Sequence, residues 1–95
     1  MVTVQAAPDS DGWSCIVSVE DAGVRRVHKV RVNHDDLAHW GAGTERGDVE
    51  SLVARSFDFL LEREPPNAIL ATFDLSVIQR YFPEYDRIFR RREDK

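Results

Sequence analysis

Apolar residues alternate in the first third of the chain and recur at helical spacing after about residue 33, which divides the sequence into two unlike parts. Val2 and Val4 alternate with polar neighbours, and "PDSDG" (residues 8–12) supplies turn chemistry. "WSCIVSVE" then puts Trp13, Cys15, Val17 and Val19 on one face, with Ser14, Ile16 and Ser18 on the other. "DAG" (residues 21–23) turns the chain into "VRRVHKVRV". A four-residue loop setting Val19 against Val24 would continue as Val17–Arg26, Cys15–His28 and Trp13–Val30, with Ile16 meeting Val27 on the reverse face. The pattern predicts a two- or three-stranded antiparallel β-meander over residues 1–32.

"NHDDLAHWGAG" marks the change to helix, predicted over residues 33–42. Asn33 is a good N-cap, and Asp35 and Asp36 put negative charge in the first turn, where the helix dipole favours it. Leu37 and Trp40 form a short apolar face that Gly41 and Gly43 end. "GTERG" (43–47) reads as a connector. The strongest periodic segment follows over 48–64, with Asp48 as its expected cap. There Val49, Leu52, Val53, Phe57, Leu60 and Leu61 recur at 3.6-residue spacing, and Phe59 widens the stripe to roughly 200°. Ser51, Arg55, Asp58 and Glu62 alone form a polar strip, so this core helix should be packed from two sides.

Pro65 and Pro66 stop that helix. Short helices are predicted over 67–92. The first is a turn in "NAILATF" with Asn67 as cap and Ile69, Leu70 and Phe73 inward. The second is "LSVIQRYF", capped by Asp74. Leu75, Ile78, Phe82, Tyr85 and Phe89 keep one phase through Pro83, which either kinks the helix or restarts it at its first position. On the last helix Tyr85, Ile88 and Phe89 share a face, while Arg87, Arg90 and Arg91 lie away from it. The expected fold class is α+β, an antiparallel meander packed on a helical C-terminal half within one domain.

Composition narrows the function classes. The chain has 95 residues, 42% hydrophobic and 32% charged, with 17 acidic against 13 basic side chains and a net charge of −4. That content suits a folded domain with a modest core and argues against a general polyanion binder. Cys15 is the single cysteine, which leaves no intramolecular disulfide and fits a reducing compartment. No signal-peptide pattern and no apolar run of membrane-spanning length is visible, so the expected location is the cytoplasm.

Candidate chemistry is sparse. Asp35, Asp36 and His39 sit three and four apart, so a first helical turn could offer them to a metal ion, but the pattern lacks the paired histidines of H-E-x-x-H. Cap chemistry explains both aspartates. Cys15 and His28 could meet across the hairpin as a thiolate–imidazole pair, although Cys15 lies on the apolar face. The glycines make neither a phosphate loop nor a dinucleotide fingerprint, and no cofactor is predicted. Arg87, Arg90, Arg91 and Arg92 could grip phosphate, yet four such contacts give a log–log salt slope of only about −3.6, and Glu84, Asp86, Glu93 and Asp94 dilute the charge.

Residues 55–85, "RSFDFLLEREPPNAILATFDLSVIQRYFPEY", resemble a C-terminal pattern of small uncharacterised bacterial proteins. The residues that carry it are Ser56, Phe57, Phe59 to Leu61, Arg63 to Pro65, Ile69, Leu70, Phe73 to Leu75, Ile78 and Arg80 to Tyr85. The Tyr81–Tyr85 ending is its most specific part. The resemblance implies a bacterial origin and a stand-alone domain, and supplies no catalytic or binding residues.

The sequence therefore favours a small non-catalytic protein-binding module: an adaptor, a regulatory subunit or an antitoxin- or immunity-like partner, able to associate with another protein or with itself. Its expected contacts are Phe59, Tyr81, Phe82 and Tyr85 with Arg87, Arg90 and Arg91, because these aromatics exceed what a 95-residue core needs. One alternative is a nucleic-acid-associated regulator whose segments 67–72 and 75–81 have helix-turn-helix-like lengths, with Gln79 and Arg80 as readers. Another is a small metal-dependent enzyme around Asp35, Asp36 and His39.

Overall fold

A computed structural model describes residues 1–90. Three long strands, β1 (Val2–Asp9), β2 (Gly12–Asp21) and β3 (Val24–Asn33), form the antiparallel meander. Two helices follow, α1 (His34–Trp40) and α2 (Arg46–Leu61), then a 3-10 turn at Pro66–Ala68 and a short strand β4 (Thr72–Asp74). Two short helices, α3 (Val77–Tyr81) and α4 (Glu84–Phe89), close the described chain. The fold is α+β, as the pattern of spacings predicts.

The second hairpin corrects the expected register. Its loop has two residues, Ala22 and Gly23, both with positive φ (53° and 80°), as the tight turns that match strand twist require. Asp21 therefore faces Val24, and Val19 faces Arg26. The pairs become Val17–His28, Cys15–Val30 and Trp13–Val32, two residues away from expectation. Side chains alternate with a period of two, so this slip leaves every residue on its predicted face. Cys15, Val17, Val19, Val30 and Val32 are all buried.

A further correction lies in "NAILATF". The helical turn is only the 3-10 turn at Pro66–Ala68, with Asn67 inside it and not its cap; from Ile69 the segment runs extended and adds β4 to the sheet in the order β1-β2-β3-β4, parallel to β3. Lys29 N–H donates to Ala71 O (2.7 Å) and Leu75 N–H to Arg31 O (2.9 Å). Proline twice at the entry and β-prone Thr72 and Phe73 favour extension over a helix too short to nucleate. Extension explains why Ile69 is buried while Leu70 is half exposed, because neighbours along an extended chain point to opposite sides. It also removes the first member of the helix-turn-helix expected at 67–72 and 75–81.

Helix α2 is packed from two sides, with Ser51, Arg55, Asp58 and Glu62 as its exposed strip. Toward the sheet, Phe57 meets His28 (ring centroids 5.3 Å apart) and Phe73 (6.1 Å). Toward the C-terminal helices, Phe59 meets Phe82 (6.0 Å), Tyr85 (5.4 Å) and Phe89 (5.8 Å). Asp48 lies inside the first turn, not at the cap, and its carboxylate accepts the Glu45 N–H at 3.0 Å. Asp74 ends β4, and α3 starts after Ser76. The chain breaks at Phe82 and restarts after Pro83, which resolves the choice between kink and restart. Ile88, expected on the inner face, is 53% exposed: α4 is one and a half turns long and commits only Tyr85 and Phe89 to the core.

A candidate protein-binding groove

The "RYFPEYDRIF" segment is mostly an anchor. Pro83 lets the chain turn so that Tyr85 enters the core, where it is fully buried. Ser56 Oγ donates to Leu52 O (2.7 Å), so the Tyr85 hydroxyl, 2.7 Å from Ser56 Oγ, is the donor to it. Burial pushes the Tyr85 phenol above its ordinary pKa. Its ring stacks on Phe89 (4.3 Å) and meets Trp40 edge-on (5.1 Å). Trp40 Nε1–H in turn donates to Asp86 Oδ1 (2.9 Å), and Arg90 donates to Asp86 Oδ2 (2.7 Å). Those two hydrogen bonds hold the Asp86 carboxyl below its usual range. Arg63 lies 3.7 Å above the Phe59 ring, donating to Phe59 O (3.0 Å) and Glu84 Oε2 (3.2 Å).

The residues expected at an interface therefore separate. Phe59 and Tyr85 are core and leave the surface. Arg87 and Arg90 are exposed, but Arg90 is committed to Asp86; Arg91, like Arg92, lies outside the described residues. Tyr81, 68% exposed, and half-buried Phe82 remain, and both line one groove. Its floor is Leu60, Ile69, Phe73 and Ile78, and its rim carries Tyr81 and Leu70, the latter 49% exposed. Among the described residues Glu64 is the one charged side chain in the wall. At about 210 Å³ the groove is smaller than the roughly 300–1,000 Å³ of ordinary small-molecule sites, and suits one apolar side-chain anchor.

No sequence signal marks Glu64, and a helical turn over 67–73 points Leu70 inward, where the structure leaves it half exposed. The signal that could have found it is β-prone Thr72 and Phe73, which favour extension after the 3-10 turn and leave Leu70 on the outer side. The rim is tied to the sheet through His28, whose Nδ1 lies 2.8 Å from Leu70 O. A carbonyl only accepts, so Nδ1 carries the proton.

The other candidates do not assemble into a site: Asp35 and His39 are exposed on α1. Asp36 is buried and closes a reciprocal cap: its carboxylate accepts the Asn33 N–H (3.2 Å), and Asn33 Oδ1 accepts the Asp36 N–H (2.8 Å). Burial pushes the Asp36 carboxyl up, with the Asn33 hydrogen bond opposing. Among the described residues no group of three His, Cys, Asp or Glu is placed to hold a metal ion. Cys15 does not face His28, and burial with the Glu50 charge pushes its thiol up to about 11 from 9.0. At pH 8 its thiolate population should be about a hundredfold below that of the unfolded chain. Thiol titration with an aromatic disulfide should accordingly be slow in buffer and immediate in denaturant, and fast native labelling would contradict the burial.

No protein-family model matches the chain, and neither a curated protein nor a solved structure does. No helix among the described residues is long and apolar enough to cross a membrane.

Proposed function

We propose that the protein is a non-catalytic protein-binding module whose groove between α2, the 66–73 segment and α3 takes an apolar anchor from a partner protein. The observation that supports this is the exposure of Tyr81 and Leu70 at the rim of an apolar floor. Large apolar side chains left in water around a concave apolar surface are the usual mark of an interaction site. Glu64 gives the partner a stated chemistry: a basic side chain flanking the anchor. A single buried thiol suits work in a reducing cytoplasm. Residues 55–85, the span of the bacterial pattern, hold the C-terminal part of α2, the extended segment and the groove wall together.

The test is affinity with purified partner, obtained by capture on the wild-type protein from host lysate. Tyr81→Ala should weaken binding by roughly thirtyfold or more, as loss of a central aromatic anchor does. Its stability should stay within about 0.5 kcal/mol, because the side chain is mostly in solvent. Glu64→Lys should weaken binding in a salt-dependent way. Equal affinity for wild type and both variants would remove the groove from the proposal.

A further inference from the structure

The open edge of the sheet lies along β1, and we propose that it pairs with the same edge of a second copy of the chain. Met1 and Glu20 exchange main-chain hydrogen bonds (2.8 and 2.9 Å) at the start of the ladder. Antiparallel ladders alternate, so Thr3, Gln5 and Ala7 bond to β2 in the same way, while the N–H and C=O groups of Val2, Val4 and Ala6 point away from it. The Ala6 N–H is already taken by the Glu50 carboxylate reaching round from α2 (3.0 Å), and Pro8 has none to offer. Val2 and Val4 are left, with no partner for their outward N–H groups among the described residues.

The character of this edge favours its own copy as occupant. Exposed edge strands are ordinarily blunted by lysine, proline or charge, yet residues 2–7 carry none of these. A two-fold axis through Thr3 sets Val2 opposite Val4 of the second copy and Val4 opposite its Val2. Both outward N–H and C=O groups of each copy are then satisfied, and the Glu50 cap on Ala6 stays in place. Thr3 meets its own equivalent on the solvent face. Threonine and β-branched cross-strand pairs stabilise such a ladder, and no like charges oppose one another. An axis through Val4 would instead set Ala6 against Val2 and require Glu50 to let go, so the Thr3 register is preferred. The two four-stranded sheets then join into one continuous sheet.

Sedimentation equilibrium across a concentration series tests this, with circular dichroism as the check on folding. Val4→Pro removes a donor that faces away from β2, at a position edge strands tolerate, together with part of the Val4 packing on the core. Thr3→Lys, at an exposed position, opposes two like charges on the axis. Wild type should be a reversible dimer, and each variant should dissociate about tenfold or more readily with unchanged secondary structure. If Val4→Pro fails to fold, Thr3→Lys decides alone. A wild type that stays monomeric throughout, or a Thr3→Lys protein that dimerises as wild type does, overturns the proposal.

Discussion

Replacing Tyr85 by alanine is expected to cost roughly 3–5 kcal/mol, the range for emptying a large aromatic from a core. The side chain is fully buried and touches the rings of Phe59, Phe89 and Trp40. Its loss opens a cavity bounded by α1, α2 and α4, so no single element can move in to fill it. It also strips Ser56 of a hydrogen-bond donor. Domains of this size have about 5–15 kcal/mol in total, so the variant should fall near the edge of folding. Each kcal/mol is worth about 4–8 °C, which predicts a fall in Tm on the order of 15 °C or more. Tyr85→Phe keeps the rings and loses only the hydroxyl, at a cost of about 1 kcal/mol. Thermal unfolding of both variants checks the argument. An alanine variant within 1 kcal/mol of wild type would mean that Tyr85 does not hold the helices together.

Tyr85 also shows where sequence reading succeeds and where it stops. Its phase with Leu75, Ile78, Phe82 and Phe89 marked a buried stripe, and all five are buried or half-buried. The aromatics nonetheless looked too numerous for a small core. What the residue list lacked was their surroundings: Phe82, Phe89 and Trp40 close around the Phe59–Tyr85 pair, and α1, distant in sequence, brings Trp40 against Tyr85. The faces of the meander were legible because a period of two survives an error of two in register. The loop length was not, because the tight turn depends on Ala22 accepting a positive φ that is unusual for alanine. The groove was hidden for a third reason. Its rim depends on the chain running extended from Ile69 into β4, and the seven residues of "NAILATF" read equally well as helix or strand until β3 supplies a partner.

Substituting Gly12 by alanine is expected to cost on the order of 3 kcal/mol, from strained backbone and a forced shift together. Gly12 has φ +151°, and a Cβ there would sit 2.2 Å from Val32 O and 2.7 Å from Asn33 Cα. Both obstacles are main chain of β3, so relief requires moving the strand, not a side chain. The damage would also spread: Asn33 is the N-cap of α1 and is locked to Asp36 by two hydrogen bonds, so displacing it loosens that helix. Gly47 gives the opposite sign. It lies in the first turn of α2 with open space around it, so Gly47→Ala should stabilise by about 0.4–1 kcal/mol through lost freedom in the unfolded chain. Denaturant titrations of the two variants beside wild type separate the effects, since a change in midpoint at constant slope reads stability directly. The contrast depends on the β2–β3 crossing being as close as described. A Gly12→Ala protein as stable as wild type would place the start of β2 farther from β3, and would detach the hairpin from the α1 cap.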